Sequence, residues 1–478
     1  MARINTNVPA IIAQRTLRQT QRDLTISLER LSSGLRINKG ADDPAGLINS
    51  EALRAEIAGV NQAISNSQRA INIVATTEGA LNEVASLLID VQRLVVESAN
   101  TGALSPDEIR ANQLQIDSAV ASITRIANTS TFAGRKLLNG SLDYVSSGVR
   151  ASAISTLQLH GVQFGTAEFI PVNIAVTASA QKAELQYRNS QTTGAISIEI
   201  AGSKGVSTLS FLAGTNASAI VAAVNLVREA TGVEAYLLNG TNPASGMGFR
   251  SEGYGSDEFV SITPLNSSAP FPVVNVDGST VSRDEGQDAS ATINGAQSTG
   301  RGLNLILNTA ALNLSLTLAE DFGLNSTSFA VTGGGAIFQL GPDVNPNQQV
   351  NIGVQSVAAS RLGNPAIGFL SQIVTGTEYA VDRGKTAEAS EIVNEAIRQV
   401  AVLRGRLGAF ERNTLQTNIN SLSITVENLT ASESAIRDTD FALETSRLTR
   451  NQILVNAGTS VLALANSTPQ SVLSLLRG

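Results

Sequence analysis

The chain has 478 residues, enough for about three domains, and its 42% hydrophobic and 15% charged residues exclude wholesale disorder. It contains no cysteine, no tryptophan and one histidine, which excludes disulfides, thiolate zinc sites, a cysteine nucleophile and any site needing two imidazoles. The net charge is −7, yet residues 141–350 alone carry 8 basic and 16 acidic side chains, so the two ends together are near neutral. Neither part has the basic stripe that nucleic acid requires.

The opening Met1–Asn7 is not followed by an apolar run and a small-residue cleavage site, so any export is expected to use a route other than the general secretory one. No stretch approaches 18 consecutive apolar residues, so no membrane insertion is expected. Residues 1–35 place Val8, Ile11, Ile12, Leu17, Leu24, Leu28, Leu31 and Leu35 at mixed helical spacings amid Arg15, Arg18, Arg22 and Arg30. From Leu53, the positions Ile57, Val60, Ile64, Ile71, Val74, Leu81, Leu88, Val91 and Val95 follow steps of four and three, interrupted by Ser67 and Glu78. That spacing predicts a narrow apolar seam along one long helix, the coiled-coil pattern.

Ser105-Pro106-Asp107-Glu108 combines an N-cap serine, proline at the first helical position and glutamate three after the cap, which predicts a helix over 106–129. Asn139-Gly140, between Leu137-Leu138 and Leu142, is read as a type I′ hairpin turn. The centre holds seven of the twelve prolines and most of the glycine, and alternates with period two. A strand at Ile196–Ile200, a partner at Val206–Leu212, an Asn216-capped helix through Leu226 and a strand at Val233–Leu238 form a β-β-α-β unit. Further strands are expected at 258–263, 272–276 and 303–319. Towards the C-terminus, Val393, Ala396, Val400, Leu403, Leu407 and Phe410 restore the helical seam, which resumes after a phase shift at Leu415, Ile419, Leu422, Val426 and Leu429.

The motifs that suggest chemistry are incomplete. Gly384-Lys385-Thr386 lacks the earlier glycine of a phosphate-binding loop, because Tyr379 stands there. Gly333-Gly334-Gly335 reads as a tight turn, and His160 has no adjacent glutamate to make a metal-hydrolase helix. The acid pairs Asp42-Asp43, Asp257-Glu258 and Asp284-Glu285 lack the ligand spacing of a calcium loop. The last segment concentrates apolar residues, among them Ile453, Leu454, Val461, Leu462, Val472, Leu473 and Leu476. So much apolar surface at chain ends points to partners. The simpler alternative is that the ends only pair with each other.

Ile4-Asn5-Thr6-Asn7, Leu31-Ser32-Ser33-Gly34-Leu35-Arg36-Ile37-Asn38 and Asp42-Asp43-Pro44-Ala45-Gly46 resemble the N-terminus of bacterial flagellins. Gln452-Ile453-Leu454, Ala457–Ala463 and Pro469–Leu476 resemble their C-terminus, and the similarity spans 1–145 and 355–478. The resemblance implies an α+β multidomain fold: long antiparallel coiled-coil helices from both chain ends, a β-hairpin, and a mainly β surface insert. It implies an inner-tube helix and linker at 1–45, and an outer-tube helical domain at 46–145 completed by 356–435. A variable insert at 146–355, with a break placed near 240–255, and a second inner-tube helix at 436–478 complete the plan. The implied function is a structural subunit that polymerises into the flagellar filament, with a hook–filament junction protein as the alternative; no enzyme activity or cofactor is implied. Expected self-assembly residues are Ile4, Ile11, Leu24, Leu28, Leu31, Leu35, Ile453, Leu454, Val461, Leu462, Val472, Leu473 and Leu476. Expected partners are many copies of the same chain, an export chaperone on about 440–478, and the filament cap and hook-associated proteins. Receptor-active members of the family carry arginine, leucine and glutamate where this chain has Asp90, Leu94 and Gln115, which implies weak recognition by the vertebrate innate receptor.

Overall fold

The computed structural model describes residues 6–475 apart from 166, 241–244, 267–269 and 310, and for 468–475 the backbone alone. Three helices open the chain: α1 (Val8–Ser33), α2 (Pro44–Ser98) and α3 (Pro106–Thr129). A small hairpin of β1 (Thr131–Phe132) and β2 (Arg135–Lys136) follows. Then come β3 (Tyr144–Ser147), β4 (Ile154–Val162), β5 (Ile170–Ala178), β6 (Glu184–Tyr187), β7 (Ile196–Gly202) and β8 (Val206–Phe211). Helix α4 (Ala217–Leu226) and the single turn α5 (Arg228–Thr231) precede β9 (Val233–Leu237), β10 (Met247–Ser251), β11 (Phe259–Pro264), β12 (Val274–Asn275) and β13 (Arg283–Glu285). The β region continues with β14 (Ser290–Ile293), β15 (Ala296–Gln297), β16 (Thr299–Arg301), β17 (Asn304–Asn308), β18 (Leu312–Leu318) and β19 (Ser326–Gly334). Three helices close the chain: α6 (Thr386–Phe410), α7 (Thr417–Arg437) and α8 (Phe441–Leu475).

The chain divides into two compact units, residues 1–69 with 339–344 and 412–478, and residues 70–338 with 345–411. In the first, α1 and α8 lie antiparallel and α7 is tied to the start of α2. Arg437 pairs with Glu51 at 3.2 Å, and Asn418 donates to Ser67 Oγ at 3.2 Å. Gly34, in the left-handed region at φ 75°, ends α1, and its carbonyl accepts from Thr439 N at 3.0 Å.

In the second unit, the later part of α2 buries Ala70, Val74, Thr77, Leu81, Val84, Leu88, Val91 and Val95, an unbroken run of steps of four and three. The seam thus holds small and polar residues as well as large ones. In the first unit it begins with Val60, Ala63 and Ser67, and the buried Ser67 satisfies its hydroxyl on Ala63 O at 2.9 Å. Ile57, Ile64 and Ile71, read from the sequence as seam positions, are only half-buried. Helix α6 buries Val393, Ala396, Val400, Leu403 and Leu407 as expected, and meets α2 through Gln92–Ser390 (3.0 Å) and Arg404–Glu78 (3.9 Å). The phase shift after Phe410 is a π-helical segment, Glu411–Gln416, whose wider turn absorbs the extra residue.

The hairpin expected at Asn139-Gly140 does not form. Leu137 and Leu138 are both buried, so the flanks lack the alternation of a strand, and Asn139 Oδ1 instead accepts from Ser141 N at 3.0 Å. The hairpin in this region turns at Ala133-Gly134, both at positive φ, and pairs Phe132 with Arg135. An Asn-Gly turn does form at Asn294-Gly295 (φ 49° and 82°), joining β14 to β15.

The β region has two cores. The larger lies between the sheets β15-β14-β5-β19-β3 and β16-β17-β18-β4, filled by Ile174, Ile293, Leu305, Leu314 and Val331. The smaller, spanning 183–285, lies between β12-β6-β10-β9 and β13-β11-β7-β8, with α4 packed in and Tyr187 stacked on Phe271 at 3.9 Å. The insert therefore divides near 180–183 and 285–289. It does not divide near 240–255, where β10 forms an inner strand between β6 and β9. The expected β-β-α-β elements appear as β7, β8, α4 and β9, but β9 pairs with β10 in the opposite sheet.

Candidate self-assembly surface

Helices α1 and α8 bring the two chain ends together. Asn7 caps α1 by accepting from Ala10 N at 3.2 Å, and donates from Nδ2 to Ala465 O at 2.7 Å. Midway, Gly458 lets the helices approach: a Cβ there would lie 3.2 Å from Leu17 Cδ1. At the far end Arg30 lies 3.8 Å from Glu444, which also pairs with Arg447 at 3.3 Å.

This pairing covers a thin seam. On α1 it buries Leu17, Thr20 and Ser27, two of them hydroxyl side chains. Among the described residues, Val8, Ile11, Ile12, Ile26 and Leu28 of α1 stay exposed, as do Phe441, Leu443, Ile453, Leu454, Val461 and Leu464 of α8. Ile11 is 57% and Ile453 62% accessible. Each such side chain gains about 1.5–3 kcal/mol on full burial, so the helix pair carries a strong drive to be covered.

Of the residues expected in self-assembly, Ile11, Leu28, Ile453, Leu454 and Val461 are on this exposed surface. Leu24, Leu31, Leu35 and Leu462 are half-buried. Ile4, Leu476 and the side chains of Val472 and Leu473 lie outside the described residues. Ile26, Phe441 and Leu443 are exposed on the same helices. The ends pair with each other and still leave an apolar face uncovered.

Residues 4–143 match the bacterial flagellin N-terminal helical region, 390–476 the C-terminal helical region, and 196–253 the flagellin hook IN motif. The chain is 31% identical to the B-type flagellin of Pseudomonas aeruginosa, with 99% of each chain covered. It belongs to the bacterial flagellin family. It is 30% identical to flagellin A of Vibrio cholerae, again with 99% of each covered, and 28% identical to the flagellin of Salmonella rubislaw. As a flagellin-family chain it is a structural subunit of the flagellar filament, an extracellular appendage, and has no enzymatic role. Among solved structures it is similar to the flagellar cap protein FliD of Escherichia coli at 20% identity and TM-score 0.30, over 46% of this chain and 64% of that one. It is also similar to FliC of Burkholderia pseudomallei at 15% identity and TM-score 0.24, over 73% and 99%.

The three receptor-related positions do not share one surface in this family member. Asp90 and Gln115 are exposed on α2 and α3, whereas Leu94 belongs to the helical core at 4% exposure. His160 lies in β4 with Nε2 3.1 Å from Ser315 Oγ, and its carbonyl accepts from Arg406 Nη2 at 2.8 Å. Gly384 (φ 77°) ends a short 3-10 turn, Val381–Arg383, before α6.

Proposed function

We propose that the exposed apolar faces of α1 and α8 dock against neighbouring copies, so that the chain polymerises into the helical filament that serves as the propeller for swimming. The observation that carries this is the helix pair itself, whose inner seam is closed while its outer side stays apolar. Open-ended growth needs one face meeting a different face of the next subunit, and the two helices supply two unlike faces. Near-neutral ends stack without mutual repulsion, while the acidic insert faces water.

In this reading 1–45 and 436–478 form the inner layer of the filament, 46–145 and 356–435 the outer layer, and 146–355 the surface. The apolar C-terminal segment, about 440–478, is held by an export chaperone before assembly, and growth proceeds under a cap from a base of hook-associated proteins. The test is electron microscopy of short filament seeds given the full chain or a version lacking 1–35 and 440–478. Elongation by the full chain alone supports the reading. Seeds capped without elongation would assign the chain to the hook–filament junction.

A further inference from the structure

A free strand edge is a template for another chain, and folded proteins block such edges. In the smaller β lobe three of the four outer edges are blocked. At β9, the Asn225 carboxamide takes both backbone groups of Ala235, accepting from N at 2.9 Å and donating to O at 3.0 Å. Strand β12 has two residues. Strand β13 has three, all charged, and Arg283 lies over the Phe259 ring at 3.9 Å.

Strand β8 is different. It has six residues without charge, proline or bulge, and pairs residue for residue with β7 on one side. Among the described residues no backbone group hydrogen-bonds to its other side. Exposed apolar side chains flank it: Val206 at 61%, Leu212 at 77% and Leu226 at 85% accessible. Val206 opens the strand, Leu212 follows it, and Leu226 ends α4, the next element in the chain.

We propose that β8 is a docking edge for β8 of a second copy, laid antiparallel to extend the sheet. The inference rests on the filament reading, because a filament holds copies side by side at high effective concentration. Charge selects the surface and the occupant. The lobe from 183 to 285 has ten acidic and five basic side chains, so two lobes repel except where charge is absent. From Gly205 to Val227 there is no charged residue. Two β8 strands therefore meet without like-charge conflict. A two-fold axis normal to the sheet keeps each face in register, so Thr208 stands opposite Thr208 or Ser210 of the second copy, or Ser210 opposite itself. The contact is isologous and adds pairing to the open-ended contacts of the helices.

The chain has no cysteine, so introduced thiols report without background. Full-length filaments of T208C, of S210C and of an equal mixture would be oxidised and run on non-reducing gels beside Thr263→Cys, an exposed position on β11 of the same sheet. Covalent dimers at least ten-fold above the control are expected in one or more of the three. Adding V206K and L226K places charge beside the edge and is expected to return dimers to the control level while filaments still elongate. Filaments that elongate but never cross-link above control overturn edge pairing and leave the filament reading intact, as do cross-links that survive the lysines. Unmodified chain that fails to elongate seeds would overturn the filament reading and this inference with it.

Discussion

Asn7 donates its carboxamide N–H to the carbonyl of Ala465 at 2.7 Å, joining residues 458 apart in the chain. The same side chain caps α1, so one residue both starts the helix and fixes its partner. Asn7→Ala removes a cap worth about 1 kcal/mol and an interhelical bond worth about 1 kcal/mol more. Urea unfolding of unassembled chain, followed by helical circular dichroism, is expected to show a loss of that order; an unchanged midpoint would refute the role.

Gly458 sets how near α8 comes to α1. In Gly458→Ala the new Cβ lies 3.2 Å from Leu17 Cδ1, the movable end of a side chain, while the helix gains about 1 kcal/mol of propensity. That variant is expected to be close to neutral. Gly458→Val adds branched bulk that Leu17 cannot clear, and is expected to slow seeded elongation at least ten-fold. Equal elongation rates for the glycine and valine chains would rule out close approach here as a requirement.

Much of this architecture was legible because local chemistry and tertiary context agree. The capping box at Ser105 and Glu108 forms as written, with Ser105 N donating to Glu108 Oε2 at 2.7 Å, and α3 runs from Pro106 to Thr129. The seam of α2 was harder, because Ala63, Ser67 and Thr77 fill positions that a search for large apolar residues passes over. Strand β4 is not legible in the sequence because its pairing with β18 shifts register beside His160, which breaks strict alternation. Strand β5 carries Pro171, a residue that argues against an inner strand, although Val172, Ile174 and Val176 alternate inward. Asn-Gly was misleading at 139, where the flanks do not alternate, whereas the Asn-Gly at 294, not singled out in the sequence, joins two paired strands. On α1 and α8 the apolar excess was plain from composition. That α1 and α8 pair while leaving an outer face open depends on the narrow seam of Leu17, Thr20 and Ser27, which needs coordinates.

The innate-receptor positions carry a separate expectation. On the resemblance to flagellins, the exposed Asp90 and Gln115 are expected to stand where receptor-active members carry a cation and an anion, and losing both charges from a contact surface is expected to cost about a few kcal/mol of binding. A cell reporter is expected to respond weakly to this chain, and D90R with Q115E is expected to raise the response at least ten-fold. A native response as strong as that to a receptor-active flagellin would contradict this.

His160 gives the chain an acid-sensitive point. Burial pushes its imidazole down to about 4, and the nearby Arg406 guanidinium acts in the same direction. The folded state therefore favours neutral imidazole, whereas the unfolded chain takes up a proton near 6.5. The stability due to the neutral ring is complete above pH 6.5 and is lost as pH falls from 6.5 to about 4, by up to roughly 3 kcal/mol. His160→Gln keeps a polar side chain beside Ser315 without the titration. Its unfolding free energy, compared with that of the native chain between pH 7 and 4.5, is expected to fall less steeply. The window lies largely above carboxylate titration, and the difference between the two chains cancels what remains. Parallel curves for both would show that His160 takes up its proton in the fold as readily as in the unfolded chain.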